Sequence, residues 1–188
     1  MKILVIGGAK GVGNDIVKYF YPDSRSVSLS SGYDIRNELH RIQISGMSVE
    51  FDAVLNNAYC GDMAQYIMLK QIYNEWINED HDGYIFHMGT YSTYSVNWNP
   101  NSSYTDMKLA SDELAKKISK QCENNKHKFR CTNLRPGMLD TPKSREKPHW
   151  EGNGISGLVM AKTIEFLYNL PKDICIPQIV MQAKHDTK

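Results

Sequence analysis

Ile3-Leu4-Val5-Ile6-Gly7-Gly8-Ala9-Lys10-Gly11-Val12-Gly13 is the stretch whose reading decides the fold. Four consecutive apolar residues read as a buried strand, and the glycines after them end it. Beyond, Asn14–Phe20 carries Ile16, Val17 and Phe20 at helical spacing. Strand, glycine loop and helix in this order suit an anion: the glycines let the backbone turn tightly and approach a pyrophosphate, whose charge meets the N–H groups at the helix start. The same glycines also suit an ordinary strand–helix turn. No Gly-Lys-Ser/Thr follows, so this is not the phosphate loop of kinases and ATPases.

Outward from this unit, strand-like runs keep alternating with amphipathic ones. Strands are predicted at Ser26–Ser30, Ala53–Leu55, Tyr84–Met88, Phe129–Leu134 and Ile174–Met181. Helices are predicted at Asn37–Ile44, Met63–Asn78, Tyr104–Cys122 and Ile155–Tyr168. Such alternation implies an α/β fold, a single Rossmann-type doubly wound parallel sheet with helices on both faces. The 188 residues show no repeat, low-complexity tract or linker, so the whole chain is expected to be a single domain.

Composition excludes several classes. The 22 basic residues nearly balance 21 acidic ones, which gives no electrostatic case for nucleic acid or an anionic membrane. No apolar run reaches the roughly 18 residues of a membrane-spanning helix. The apolar run before Gly7 is too short for a signal-peptide core. Cys60, Cys122, Cys131 and Cys175 are scattered, without C-x-x-C or ligand-like histidine spacing. They are expected to be reduced thiols of a cytoplasmic protein, with no metal site.

Two further places carry candidate chemistry. The end of the second strand in a dinucleotide site meets the adenine ribose, where an acid favours NAD and a base accommodates the 2′-phosphate of NADP. Ser28-Leu29-Ser30-Ser31-Gly32 offers no acid, whereas Lys10 and Arg36 could reach a 2′-phosphate. NADP(H) is therefore expected over NAD(H), although Lys10 also reads as a solvated loop lysine. Tyr104-Thr105-Asp106-Met107-Lys108 puts a phenol and an ammonium on one helix face. An unperturbed tyrosine titrates near ~10 and is a poor base at neutral pH. A cation one turn away lowers that value. The pair can then give a proton to a carbonyl that accepts hydride, or take one from an alcohol. Among 11 tyrosines this spacing also arises by chance.

Together these motifs resemble the short-chain dehydrogenase/reductase family over nearly the whole chain. Gly7, Gly11 and Gly13 match its Gly-x-x-x-Gly-x-Gly signature, Asp34-Ile35 its Asp-Val adenine contact, and Asn56-Asn57-Ala58-Tyr59 its Asn-Asn-Ala-Gly with the glycine replaced. Tyr104 and Lys108 match Tyr-x-x-x-Lys, and Pro136-Gly137-Met138-Leu139-Asp140-Thr141 matches Pro-Gly-x-x-x-Thr. The resemblance implies a dinucleotide held by Gly7, Lys10, Gly11, Val12 and Gly13, with Ser30, Asp34, Ile35, Asn57 and Ala58 toward the adenosine. It implies that Pro136, Gly137, Leu139 and Thr141 hold the nicotinamide carboxamide, and that Lys108 also binds the nicotinamide ribose beside Tyr104. It implies reversible reduction of a small-molecule carbonyl or oxidation of an alcohol, and a homodimer or homotetramer paired through Met63–Asn78 and Tyr104–Cys122.

The departures are local. Ungapped alignment puts Thr90 at the family's catalytic serine, with Ser92 as the alternative; a threonine hydroxyl can still polarise a carbonyl. The family's further asparagine aligns with Asp62, which either pairs with Lys108 or begins its helix. Gly32-Tyr33 must shortcut the family's next helix and strand, and Pro142–Gly157 is a brief substrate loop. His87 is expected as a buried strand residue. Tyr91, Tyr94, Trp98 and Trp150 either line an aromatic pocket or pack at its rim. The shortened chain and Tyr59 also suit a dinucleotide-binding sensor without turnover. Threonine with Tyr-x-x-x-Lys also suits a nucleotide-sugar epimerase or reductase of the extended branch, against which the short C-terminal part stands.

Overall fold

The computed structural model describes residues 1–93, 102–124, 126–148, 150 and 152–184. Tyr94 and Trp98 lie outside the described residues, as does most of the stretch leading into the Tyr104 helix. The described strands are β1 (Ile3–Ile6), β2 (Ser24–Val27), β3 (Ala53–Asn56), β4 (Tyr84–Met88), β5 (Arg130–Pro136) and β6 (Gln178–Met181). They form one sheet in the order β2-β1-β3-β4-β5-β6, with every neighbouring pair parallel. Helices α1 (Gly11–Tyr19), α2 (Glu38–Ser48), α3 (Ala64–Asn78), α4 (Ser103–Glu123), α5 (Pro142–Arg145) and α6 (Gly157–Tyr168) connect them.

The side-chain alternation of β1 divides the core. Leu4 and Ile6 join Met68, Ile72 and Trp76 of α3 and Ala115 and Ile118 of α4, with Ile44 of α2 on the same side. Ile3 and Val5 join Ile16 of α1 and Met160, Ala161 and Ile164 of α6 on the other. A parallel sheet covered on both faces needs strands apolar throughout, which is why β1 and β3 read as unbroken runs. The expected doubly wound sheet is thereby present.

β3 and β5 differ from their expected bounds by one or two residues, β5 running on to Pro136, and two strands differ more. Ser26–Ser30 does not continue as a strand: β2 stops at Val27, and Leu29–Ser31 forms a 3₁₀ turn. The serines cause this, since the Ser28 N–H donates to Ser31 Oγ at 2.9 Å and the Ser31 hydroxyl donates to the Ser28 carbonyl at 3.0 Å. Ile174–Met181 pairs only over Gln178–Met181, after a turn closed by Ile174 N–H to Pro171 O at 2.9 Å. The chain runs from β2 through α2 directly to β3, so β2 is the sheet edge and the expected shortcut after Ser30 is present.

Candidate functional site

In a parallel sheet the carboxyl ends of all strands share one rim, and ligands bind there. Gly7 ends β1 with φ +90°, and a Cβ on it would stand 2.8 Å from the Ala58 Cα. Its backbone is therefore pressed against the end of β3, where Asn57 Nδ2 donates to the Gly7 carbonyl at 3.0 Å. A Cβ on Gly13 would overlap that same carbonyl oxygen, so α1 can start directly beneath the turn only with glycine there. The N-cap Lys10 places no side-chain oxygen on the first turn of α1, leaving its N–H groups suited to an anion.

A cavity of about 570 Å³ opens beside this loop. It is lined by the expected Gly7, Lys10, Ser30, Asp34, Ile35, Asn57 and Ala58. Ser28, Tyr33, Tyr59 and Cys60 also line it, and sequence reasoning had not placed them there. Arg36 lines it too, but its Nη2 donates to Asp34 Oδ2 at 2.7 Å and its Nε to Oδ1 at 3.0 Å. These bonds hold the Asp34 carboxyl down at about 2. Arg36 is thus bound to a carboxylate, which leaves Lys10 as the better candidate for a 2′-phosphate. Cavity volume, the bare helix start and the closely approached glycines all fit a dinucleotide.

Gly11, Val12, Gly13, Pro136, Gly137, Leu139 and Thr141 lie outside that cavity's lining. Thr141 adjoins the glycine loop, its Cγ2 3.4 Å from the position a Cβ on Gly11 would take. Its hydroxyl oxygen caps α5, accepting the Ser144 N–H at 3.2 Å. Gly137 N–H donates to the Met181 carbonyl at 2.8 Å, and Leu139 forms a parallel bridge with Ile155.

The catalytic candidates meet where β4 ends. Thr90 shares a side-chain hydrogen bond with Tyr104, and its Oγ1 lies 3.0 Å from Ser92 Oγ. Lys108 is 3% exposed, and its Nζ donates to Gln65 Oε1 at 2.7 Å and to the Met88 carbonyl at 2.8 Å. The Tyr59 ring covers the same ammonium at 5.1 Å and meets the Tyr104 ring edge-on at 5.0 Å. Burial lowers the Lys108 ammonium to about 8, with the Asp112 carboxylate opposing that shift.

Lys108 was expected to pull the tyrosine down. Instead Tyr104 titrates above its ordinary value, chiefly through desolvation, with Asp112 adding to the rise and the Thr90 hydrogen bond opposing it. The desolvation is local to the hydroxyl, since the residue as a whole is 38% exposed. The physical reason is burial of the hydroxyl, which outweighs any pull from Lys108, whose Nζ donates to Gln65 and the Met88 carbonyl.

Gln65 is the residue sequence reasoning missed. Its Nε2 donates to the Asn56 carbonyl at 3.1 Å and the Met88 carbonyl at 3.2 Å. With both N–H groups so directed, only the amide oxygen can face Lys108. Asp62, the aligned candidate, is exposed and accepts the Ala64 N–H at 2.8 Å, so of its two readings the helix start is the one seen. His87 is fully buried, with its pKa well below the ordinary value from desolvation and the nearby Lys108 charge. Tyr91 and Trp150 are half-buried.

The described cysteines are free, and the described residues hold no cluster of three or more metal-ligating side chains. No described helix is long and apolar enough to cross a membrane.

No family model and no curated protein matches this sequence. Solved structures do. A β-ketoacyl-ACP reductase from Bacteroides thetaiotaomicron is 21% identical, with 98% of each chain covered and a TM-score of 0.73. A short-chain dehydrogenase/reductase from Serratia marcescens is 15% identical at a TM-score of 0.75, over 96% of this chain and 95% of that one. A 4-hydroxyisoleucine dehydrogenase complexed with NADH is 15% identical at 0.74, over 97% of each. The chain therefore has the fold of the short-chain dehydrogenases/reductases.

Proposed function

We propose that this chain is an NAD(P)(H)-dependent oxidoreductase of the short-chain dehydrogenase/reductase type, acting on a small-molecule carbonyl or the corresponding alcohol. The observation that carries this reading is the meeting of Thr90, Tyr104 and Lys108 at the same sheet rim as the glycine-loop cavity. A nicotinamide cofactor bound along the glycine loop would supply or accept the hydride. Thr90 Oγ1 orients the substrate oxygen, and the Tyr104 hydroxyl delivers its proton there in reduction. The phenol, raised above its ordinary pKa by burial, is in its protonated, donor form at neutral pH. Lys108 places a positive charge behind the pair and offers its ammonium to the nicotinamide ribose.

NADP(H) is favoured over NAD(H) because the end of β2 presents serines and no acid, with Lys10 on the same cavity wall. The exposed Met63, Ile67, Ile77 and Leu109 on or beside α3 and α4 support pairing of copies through those helices. The free thiols accord with a reducing, cytoplasmic setting.

One observation favours a sensor without turnover: the Tyr59 ring sits over Lys108, where the family has glycine. A panel of ketones and aldehydes with NADPH and NADH, followed by nicotinamide absorbance, separates the readings. Tyr104→Phe is expected to lower turnover by about 10²- to 10⁴-fold, the contribution of a positioned general acid, while dinucleotide affinity by titration stays unchanged. Retained turnover in that variant overturns the assignment.

A further inference from the structure

The densest buried charge in the described chain lies directly under the Thr90 turn. Asp112, one turn beyond Lys108 on α4, is 5% exposed, and Arg135 on β5 is 9% exposed. Taking two such charges out of water is tolerated only when hydrogen bonds satisfy them on all sides. Asp112 Oδ1 accepts from Asn133 Nδ2 at 2.9 Å, and Oδ2 accepts from Thr93 Oγ1 at 2.5 Å and faces Arg135 Nε at 3.6 Å. Arg135 donates from Nη2 to Thr93 Oγ1 at 2.6 Å, from Nη1 to Gln178 Oε1 at 3.0 Å and from Nε to the Thr90 carbonyl at 3.4 Å.

Thr93 is the joint of this network. Its hydroxyl carries one proton, which the carboxylate takes as the stronger acceptor, while Arg135 occupies a lone pair. Thr93 Oγ1 also lies 3.0 Å from the Thr90 carbonyl oxygen. The 3₁₀ turn Tyr91–Thr93 is thereby tied to α4 and β5 at its far end, with Thr90 at its near end. Gly89 makes the tie possible: a Cβ there would overlap Asp112 Oδ1 and stand 2.5 Å from Asn133 Oδ1. Three elements, the end of β4, α4 and β5, are thus shaped to one another around a single carboxylate.

We propose that Asp112, paired with Arg135, is a positioning residue that acts through Thr93 to hold the Thr90 hydroxyl where it meets Tyr104. This rests on the reading of Thr90 and Tyr104 as the acting groups. The groups facing Asp112 are Lys108 and Tyr104 on its own helix, Arg135 and Asn133 on β5, and Thr93 on the turn. Burial raises the Asp112 carboxyl, while Thr93, Asn133, Arg135 and Lys108 pull it down. Its charge in turn raises both Tyr104 and Lys108. An uncharged isostere at 112 therefore lowers both, moving an activity limb set by either group to lower pH.

Three variants test this. Thr93→Val removes the joint without changing side-chain volume, Thr93→Ser restores the hydroxyl, and Asp112→Asn keeps the shape and removes the charge. Thr93→Val is expected to reduce kcat by up to about 100-fold, as a misplacement near 1 Å does, with KM and dinucleotide affinity little changed; Thr93→Ser is expected to recover most of it. Independently of turnover, the Ser92 amide, which donates to Thr90 Oγ1 at 3.3 Å, is expected to exchange its hydrogen faster in Thr93→Val than in wild type or Thr93→Ser. Wild-type kcat and wild-type Ser92 exchange in Thr93→Val would overturn the proposal. If Thr93→Val does not fold, Asp112→Asn decides by the same two readouts: a lowered kcat together with faster Ser92 exchange, binding intact, supports the role, and wild-type values of both refute it. If the wild-type protein binds dinucleotide but reduces no carbonyl, the enzymatic reading fails, and Ser92 exchange alone still shows whether Thr93 holds the turn.

Discussion

The two halves of the rim are built on opposite terms. At the ends of β1, β2 and β3 lies an open cavity whose decisive contacts are backbone: Gly7 against Ala58, and the uncapped start of α1. At the ends of β4 and β5 the site is closed and side-chain-made, with Gln65, Lys108, Asp112, Asn133 and Arg135 all buried within a few hydrogen bonds of one another. A binding region can be made from a few glycines because the peptide N–H is itself the recognising group. A region that sets proton affinities must instead hold charges out of water, and each such charge needs partners from several elements.

The sharpest way to break this comparison is to put a side chain into the backbone-made half. A Cβ at Gly13 meets the Gly7 carbonyl oxygen, so Gly13→Ala forces the turn away from α1. Overpacking of this kind costs about 1–3 kcal/mol, or roughly 5- to 150-fold in affinity if the strain falls on the bound geometry. Isothermal titration with NADPH checks it. The prediction is a loss of binding with the Tyr104 half intact, and unchanged affinity would mean that the glycine loop does not cradle the ligand.

In the closed half the corresponding change is Gln65→Leu. The Lys108 ammonium, already lowered to about 8 by burial, then loses its neutral acceptor at 2.7 Å. A hydrogen bond to a charged group contributes about 1.5–3 kcal/mol, which is roughly one to two pH units. Lys108 is then expected to lose its proton near or below neutrality. The sign of the linkage follows: between the folded and unfolded lysine values the unfolded chain binds more protons, so stability rises with pH across that window. In Gln65→Leu the window opens at lower pH, and Tm measured against pH detects it. A Tm profile parallel to wild type would show that Gln65 does not govern the ammonium.

The same contrast explains what the sequence made legible. β1 and β4 have the boundaries their sequence runs predicted, because strands covered on both faces are mainly apolar, His87 being the buried exception in β4. The cavity residues Gly7 and Lys10 were readable from the glycine spacing of the β1–α1 turn, and Asn57 and Ala58 from the Asn56-Asn57-Ala58 resemblance at the end of the neighbouring β3. Gln65 was not readable. It stands 43 positions from Lys108, and an ungapped alignment favoured Asp62, whose carboxylate instead takes the Ala64 N–H. Nor could spacing reveal that Tyr104 titrates upward, since that depends on how deeply its hydroxyl is packed and on Asp112, which lies two turns away. The Ser26–Ser30 strand failed for a local reason, serine hydroxyls competing for the backbone.

The smallest effect lies on the open half, where charges stay in contact with water. Lys10 and Arg36 both line the cavity, but Arg36 is held by the Asp34 carboxylate at 2.7 Å. Lys10→Ala is therefore expected to weaken NADPH binding more than Arg36→Ala, and to leave NADH binding nearly unchanged. A solvent-exposed charge pair contributes up to about 1 kcal/mol, so the loss is roughly fivefold and shrinks as salt is raised. Arg36→Ala has a second consequence of opposite direction. It frees a carboxylate that the guanidinium now keeps ionised and engaged, and that carboxylate faces the ligand from the cavity wall. A free Asp34 repels a 2′-phosphate and accepts from a ribose hydroxyl, so the NADH-to-NADPH affinity ratio rises on both counts. Fluorescence titration of both dinucleotides at two salt concentrations distinguishes the cases. If Arg36→Ala instead costs more NADPH affinity than Lys10→Ala and leaves NADH affinity unchanged, so that no freed Asp34 is felt, the guanidinium leaves Asp34 when the phosphate arrives, and the basic group that selects the cofactor is Arg36.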